Sequence, residues 1–319
     1  MVDDVERAVA ALRAGELVVF PTETVYGLGA DAANARAVQR LFAVKGRPAG
    51  HPVIVHVARA SQLDELALDV PDDAHALGAA CWPGPLTLVV RRDPARVVAE
   101  VTGGRETVGI RVPDHPLALA LLDAFGGGVA APSANRFGRV SPTTAEHARA
   151  DLFDDVRVVL DGGACRVGVE STIVDVTGTV PAILRVGGVS RAKVEQVIGR
   201  ACVLHTGGEV AAPGTLASHY APRAHVEVVE AMAVAERARS LAGAGRRVGV
   251  LSSVGAELSE HEAVVVLGAP RDADDFAHVL YARLREADER DLDVLLVVLP
   301  AGDDGPAAAV ADRVRRAAH

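Results

Sequence analysis

The chain has 319 residues, half of them hydrophobic, which is a soft prior for two domains and ample for real cores. Aromatic residues make up only 3%, so those cores must be built from Ala, Val and Leu. A formal net charge of −9 argues against a chain made chiefly to coat nucleic acid, while leaving room for a local basic pocket. The three cysteines, Cys81, Cys165 and Cys202, are far apart and form no C-x-x-C pair, so neither a disulfide framework nor a zinc site is indicated. The acidic N-terminus lacks the basic-then-apolar order of a signal peptide, and no apolar run approaches the ~20 residues needed to cross a bilayer. The sequence reads as a soluble, cytoplasmic protein.

In chain order, Glu16 to Phe20 reads as a strand ending at Pro21. Asn34 is a good N-cap, and Val38, Leu41 and Phe42 recur at helical spacing until Gly46. Val53 to Val57, Leu86 to Arg91, Thr107 to Val112, Val156 to Leu160, Thr172 to Val176 and Ala182 to Val186 read as strands. A helix is predicted from Asp114 through Leu122, and the capping-box spacing of Thr143 to Glu146 opens another. Several strands arrive without a helix between them, so a mixed α+β sheet is expected. The segment from Thr206 to Pro222 has the Gly, Pro and Ala content of a linker, yet Ser218, His219 and Tyr220 are richer in polar and aromatic groups than a tether needs. Beyond it, strands at Val226–Val229, Val248–Leu251, Ala263–Leu267 and Leu292–Leu299 alternate with helices at Val234–Leu241, Phe276–Ala287 and Ala307–Ala317. That rhythm indicates a small parallel α/β domain.

Several nucleotide and metal devices are missing. There is no G-x-x-x-x-G-K-[ST], Gly27-Leu28-Gly29 lacks the third glycine of a dinucleotide fingerprint, and no H-E-x-x-H cluster exists. What remains is a set of polar residues at the ends of apolar strands, the pattern of a ligand site. Thr22 and Thr24 follow the first strand, His56 sits inside an apolar one, and Arg111 is the only charge in Val108 to Pro113. Ser133 and Asn135 follow Val129 to Pro132, Ser171 lies in Gly168 to Asp175, and Arg185 in Ile183 to Gly188. Lys45 is one of only two lysines among 33 basic residues, and it stands two positions before Arg47 in Lys45-Gly46-Arg47-Pro48. A point-charge ammonium beside a planar guanidinium suggests an anion held from two directions.

Each residue type also has an ordinary structural use. Thr143 serves equally as a helix cap, His56 as a satisfied core histidine, Ser133 and Asn135 as turn formers, and Arg185 as a solvated strand residue. Arg111 resists this reading because a buried guanidinium needs an anionic partner.

Taken in order, Pro21 to Gly29, Lys45 to Pro48, Trp82 to Thr87, Ala131 to Asn135 and Glu170 to Asp175 resemble the YrdC-type threonylcarbamoyl-AMP synthases. His219 to Pro222 is similar to the linker signature of their two-domain form, and Leu280 to Arg285 and Asp312 to Ala318 to its C-terminal domain. The resemblance implies an α+β mixed-sheet YrdC-like catalytic domain over residues 1–203. It further implies a linker over 204–223 that acts as an active-site lid, and a smaller C-terminal Rossmann-like parallel α/β domain over 224–319. The implied reaction joins L-threonine, bicarbonate and ATP into threonylcarbamoyl-AMP and pyrophosphate for modification of tRNA. By the same resemblance Lys45 and Arg47 are catalytic, and Thr24, His56, Arg111, Ser133 and Ser171 contact threonine. Arg47, His51, Thr107, Asn135, Thr143, Arg185 and Tyr220 contact ATP. Mg2+ comes with ATP and no side chain ligates it. A downstream tRNA threonylcarbamoyl transferase complex is the implied partner, with weak tRNA or RNA contact and no membrane. Two positions depart from the family pattern: His51 stands where Asn is common, and Leu216-Ala217-Ser218 where Lys-Tyr-Arg is common. The competing reading from another class is a double-stranded RNA or tRNA-binding module without catalysis. Hydrogenase-maturation-type carbamoyl-AMP chemistry is a second enzyme reading, and the zinc-finger cysteines that go with it are not in this chain.

Overall fold

The computed structural model describes residues 2–152, 155–205, 220–253 and 262–318. The chain forms two compact units. The first comprises residues 1–137, 141–166 and 170–215, the second 138–140, 167–169 and 216–319.

The described strands of the first unit are β1 (Val18–Phe20), β2 (Gly27–Asp31), β3 (Val55–His56), β4 (Ala67–Leu68), β5 (Leu86–Arg92), β6 (Thr107–Arg111), β7 (Val129–Ala130), β8 (Val158–Val159), β9 (Thr172–Asp175), β10 (Ala182–Arg185) and β11 (Val203–Leu204). They form one sheet in the order β11-β10-β9-β5-β6-β3-β7-β2-β1-β8, with β4 beside β5. The sheet is mixed. β3 with β6 and β5 with β9 are parallel, whereas β5 with β6, β3 with β7 and β1 with β2 are antiparallel. Helices α1 (Val2–Arg13), α2 (Ala35–Lys45), α3 (Leu63–Leu66), α4 (Asp72–Cys81), α5 (Ala99–Thr102), α6 (Pro116–Phe125), α7 (Ala145–Leu152) and α8 (Arg191–Ile198) accompany it. Its core consists almost wholly of Val, Leu, Ile and Ala, with Tyr26 and Phe42 among the few rings in the larger cluster. Each such Val or Leu contributes about 1.5–3 kcal/mol on burial.

Local rules explain most of the boundaries. Asn34 Oδ1 accepts from the main-chain N–H groups of Arg36 and Ala37, and Gly46 ends α2 in the left-handed region at φ +64°, where Gly alone is unstrained. Two expected helix starts are corrected. The helix expected from Asp114 begins at Pro116, because Pro favours the first helical position and His115 caps it by accepting from Leu117 N. The helix expected from a Thr143 capping box begins at Ala145, and the hydroxyl of Thr144 accepts from His147 N. Thr143 is therefore not the cap.

The second unit has β12 (His225–Val228), β13 (Val248–Ser252), β14 (Val264–Gly268) and β15 (Val294–Val298) in the order β12-β15-β13-β14, every pair parallel. Helices α9 (Val234–Gly243), α10 (Ala273–Glu289) and α11 (Gly305–Ala317) connect or follow them. β13 and β15 are buried along their whole length, as strands covered on both faces must be. No described helix is long and apolar enough to cross a membrane. The lid expected over 204–223 falls mostly on residues 206–219, outside the described residues, as do Ser218 and His219.

Candidate active site

Strand alternation puts Thr107, Gly109 and Arg111 on one face of β6, and the parallel register with β3 sets His56 beside Arg111 on that face. Both side chains are buried. Arg111 has five N–H bonds to place. Nη2 approaches Glu23 Oε1 at 2.7 Å and donates to Thr24 Oγ1 at 3.0 Å, while Nε donates to the Gly84 carbonyl at 3.2 Å. The two N–H bonds of Nη1 meet no acceptor among the described residues. The sequence reading sought an anion for Arg111 in the substrate alone; the resident partner is Glu23, whose other oxygen accepts from Asp114 N at 3.0 Å.

Thr22 Oγ1 donates to the Val25 carbonyl at 2.6 Å and accepts from Thr24 N and Val25 N, both at 3.2 Å, which uses its hydrogen and both lone pairs. Thr24 Oγ1 lies 2.9 Å from it and accepts from Arg111 Nη2, which leaves Thr24 a lone pair for a further donor. His56 meets the Phe20 ring edge-on at 5.9 Å between centroids, and its Nδ1 is buried without a hydrogen-bond partner. Burial, followed by the charge of Arg111, pushes its pKa down to about 3, although the carbonyls of Ile54 and Val129 favour the charged form. The imidazole is neutral at working pH.

The segment from Trp82 to Thr87 ties this corner to Ser171. Its Gly84 carbonyl holds Arg111, its Pro85 carbonyl accepts from Thr172 N, and Thr87 Oγ1 lies 2.8 Å from Ser171 Oγ. Arg185 donates from Nε to the Ser171 carbonyl and from Nη2 to its hydroxyl, both at 3.0 Å. Gly187 permits this. A Cβ there would lie 2.2 Å from Thr172 N and 2.3 Å from Ser171 C, closer than any side chain can approach a backbone.

The third corner surrounds Lys45. Its Nζ donates to the carbonyls of Ser133 at 2.6 Å and Asn135 at 2.5 Å, leaving one of three N–H bonds without an acceptor among the described residues. Burial, and then the charge of Arg47, holds its pKa well below the usual lysine value. Arg47 donates to the carbonyls of Pro52 at 2.9 Å and His51 at 3.5 Å, and its guanidinium sits over the Phe137 ring. His51 meets the same ring edge-on, and its pKa is lowered by partial burial and the nearby charges of Arg47 and Arg105. Main-chain bonds interlock the corners: Leu28 N donates to the Pro132 carbonyl, and Ala134 N to that of Tyr26.

The structure thus joins Thr24, His56 and Arg111 in one group, Ser171 and Arg185 in a second, and Lys45, Ser133 and Asn135 beside Arg47 and His51 in a third. Thr107 shares the face of Arg111 but stands four residues away, about 13 Å at ~3.3 Å per residue. Thr143 is buried, with its hydroxyl 3.4 Å from His147 Nδ1. Tyr220 belongs to the second unit, where its ring is buried at φ +65°, stacks on Tyr281 at 5.5 Å and lies under the Arg313 guanidinium at 5.6 Å. The sequence assignments missed Glu23 and Thr87. Both lie inside quoted segments, and the demand of a buried arginine for a carboxylate pointed to the first.

A face that carries buried cations, hydroxyls and a neutral imidazole is the site of a positioning enzyme that handles anions. Residues 10–187 match the Sua5/YciO/YrdC family model, described as telomere recombination, and residues 189–319 match the model of the threonylcarbamoyl-AMP synthase C-terminal domain. The threonylcarbamoyl-AMP synthase of Pyrococcus abyssi is 40% identical over 97% of this chain and 92% of its own length, and that of Bacillus subtilis 40% over 98% and 92%. The fold superposes on the P. abyssi Sua5 protein complexed with L-threonine with a TM-score of 0.91 at 39% identity, covering 98% of this chain and 94% of that one. The chain belongs to the threonylcarbamoyl-AMP synthase family in its two-domain form, and it is an ATP-using nucleotidyltransferase.

Proposed function

We propose that the family reaction, which forms threonylcarbamoyl-AMP and pyrophosphate from L-threonine, bicarbonate and ATP for N6-threonylcarbamoyladenosine in tRNA, is divided among the three corners of this face. The observation that carries the reading is the unclaimed Nη1 edge of a buried arginine beside the Thr24 hydroxyl, which keeps a lone pair for a further donor. Arg111 takes the α-carboxylate of threonine through that edge. Thr24 accepts the hydrogen of the substrate hydroxyl, and neutral His56 adds no charge to oppose either group. Ser171, oriented by Arg185 and Thr87, and Ser133 complete the amino-acid side.

The amine of threonine adds to carbon dioxide with loss of a proton, or to bicarbonate with loss of water, to give a carbamate. A carbamate oxygen then attacks the α-phosphorus of ATP, and pyrophosphate departs. No enzyme nucleophile is required, so the protein contributes positioning and charge neutralisation. Lys45, with its one remaining N–H, and Arg47 face the triphosphate, aided by His51, Asn135, Thr143 and Arg185. Thr107 lies about 13 Å from Arg111 on the same face, a span that suits the nucleoside end of the mixed anhydride.

Among the described residues no three His, Cys, Asp or Glu side chains gather to hold an ion, and the corners present hydroxyls, amides and cations. Mg2+ would enter with the nucleotide and would supply charge neutralisation for the leaving pyrophosphate. The product passes to a tRNA threonylcarbamoyl transferase complex, and the protein works in the cytoplasm. The test is pyrophosphate release by the full chain with each substrate omitted in turn. Release that depends on threonine, bicarbonate and ATP together is expected, and release from ATP that ignores threonine would overturn the reading.

A further inference from the structure

Among the described residues, Glu23 is the charged group that contacts the Arg111 guanidinium. Glu23 is 1% exposed and Arg111 3% exposed, so their contact at 2.7 Å is shielded from water. Glu23 occupies the turn that also carries Thr22 and Thr24. Its far oxygen is pinned by Asp114 N, just before α6, at 3.0 Å. The carboxylate is therefore anchored by main chain at both ends. Held there, its Oε1 pairs by charge with Arg111 Nη2 at 2.7 Å while Thr24 Oγ1 accepts a hydrogen from the same nitrogen, and the remaining Nη1 edge is aimed by default.

We infer that Glu23 is a positioning residue for threonine, whose buried carboxylate holds Arg111 so that its Nη1 edge meets the substrate carboxylate. The inference rests on the reading of Arg111 as the carboxylate clamp. It also explains why a carboxylate is required. Both oxygens of Glu23 face donors, Asp114 N on one side and Arg111 Nη2 on the other, and an ionised carboxylate is acceptor-only at both. The isosteric amide of glutamine must turn its NH2 toward one of them, so the change cannot be silent. Glu23 also keeps the ligand-free site from containing a bare buried cation.

The test uses the full chain and compares Glu23→Gln, Glu23→Asp, Arg111→Ala and the double variant Glu23→Gln/Arg111→Ala. Apparent KM values for threonine and ATP are read from pyrophosphate release, with thermal unfolding in parallel. Glu23→Gln is expected to raise the threonine KM at least tenfold while the ATP KM stays within twofold. Glu23→Asp, which keeps the acceptors but shortens the reach, should fall between it and the native protein. Glu23→Gln should add nothing to the threonine KM once Arg111 is gone. Additive effects, or equal changes in both KM values, would reduce Glu23 to a structural ion pair. If Glu23→Gln fails to fold, the same KM split in Glu23→Asp decides the matter. An unchanged threonine KM in Arg111→Ala would overturn the clamp itself, whereas a raised one together with a native-like Glu23→Gln would overturn only the role of Glu23.

Discussion

Replacing Thr24 by Val keeps the shape and removes one oxygen, and the structure states what that oxygen does. It accepts from Arg111 Nη2 at 3.0 Å and lies 2.9 Å from Thr22 Oγ1. The second contact is cheap to lose, because Thr22 retains the main-chain donors Thr24 N and Val25 N at 3.2 Å. The first is a hydrogen bond from a charged group, worth about 1.5–3 kcal/mol. At ~1.4 kcal/mol per tenfold, its loss predicts a fall in kcat/KM for threonine of about 10- to 100-fold. Selectivity should change as well. Native Thr24 offers its free lone pair to the substrate hydroxyl, and valine would leave that lone pair unanswered in a dry site. Thr24→Val should therefore narrow the ratio of kcat/KM for threonine over valine by about tenfold, the worth of one buried hydrogen bond. Thr24→Ser should restore most of it. The assay is pyrophosphate release with either amino acid at saturating ATP. A threonine-to-valine ratio unchanged in Thr24→Val would refute the contact between Thr24 and the substrate hydroxyl.

Lys45→Arg should raise the KM for ATP at least tenfold and lower the melting temperature, since extra atoms in a packed site cost about 1–3 kcal/mol; calorimetric ATP binding checks it. Gly187→Ala should weaken threonine use and stability together, because its Cβ would collide with the backbone of Ser171 and Thr172; thermal unfolding and threonine kinetics on one preparation would show a silent change if this is wrong. His56 predicts a pH window. Its folded pKa of about 3 lies below the ordinary 6.5, so from pH 6.5 downward the unfolded chain binds a proton that the folded one refuses. Stability is fully present above pH 6.5 and falls by on the order of 4–5 kcal/mol toward pH 3. Denaturant unfolding between pH 7 and 4 should show a shallower decline for His56→Gln, and parallel curves would contradict the buried neutral imidazole.

Much of this architecture was legible from periodicity and caps. The strand ending at Phe20, the helix capped by Asn34 and the parallel second unit follow from local patterns that tertiary contacts did not override. The glycine-rich β2 and the helix α1 were not read. Gly27-Leu28-Gly29-Ala30-Asp31 has no strand propensity of its own and is held as a strand by β1 and β7. The residues 138–140 and 167–169, which group with the second unit, could not be anticipated either. Ala221 N donates to the Gly138 carbonyl, and Gly168 adopts φ +82° where a Cβ would strike the Ala277 carbonyl. Both are long-range pairings without a local signal.

The site was legible as a set of residues, and less so as a set of roles. Polar residues at strand ends in apolar surroundings mark a ligand face whatever the ligand, which is why Arg111, Ser171 and Lys45 stood out. Roles depend on which atoms are already engaged, and sequence does not record that. Lys45 makes the point. In a chain that uses arginine almost everywhere, its lysine suggested a phosphate contact. The structure shows two of its three N–H bonds committed to the carbonyls of Ser133 and Asn135, the loop that also bears two assigned ligand residues. A tetrahedral ammonium can reach two carbonyls that converge on one point and still direct a third hydrogen elsewhere. A planar guanidinium spreads its donors over a fork and needs the partners side by side. The lysine is thus explained by the loop it holds as much as by any anion it meets, and one side chain both shapes the third corner and supplies charge to it.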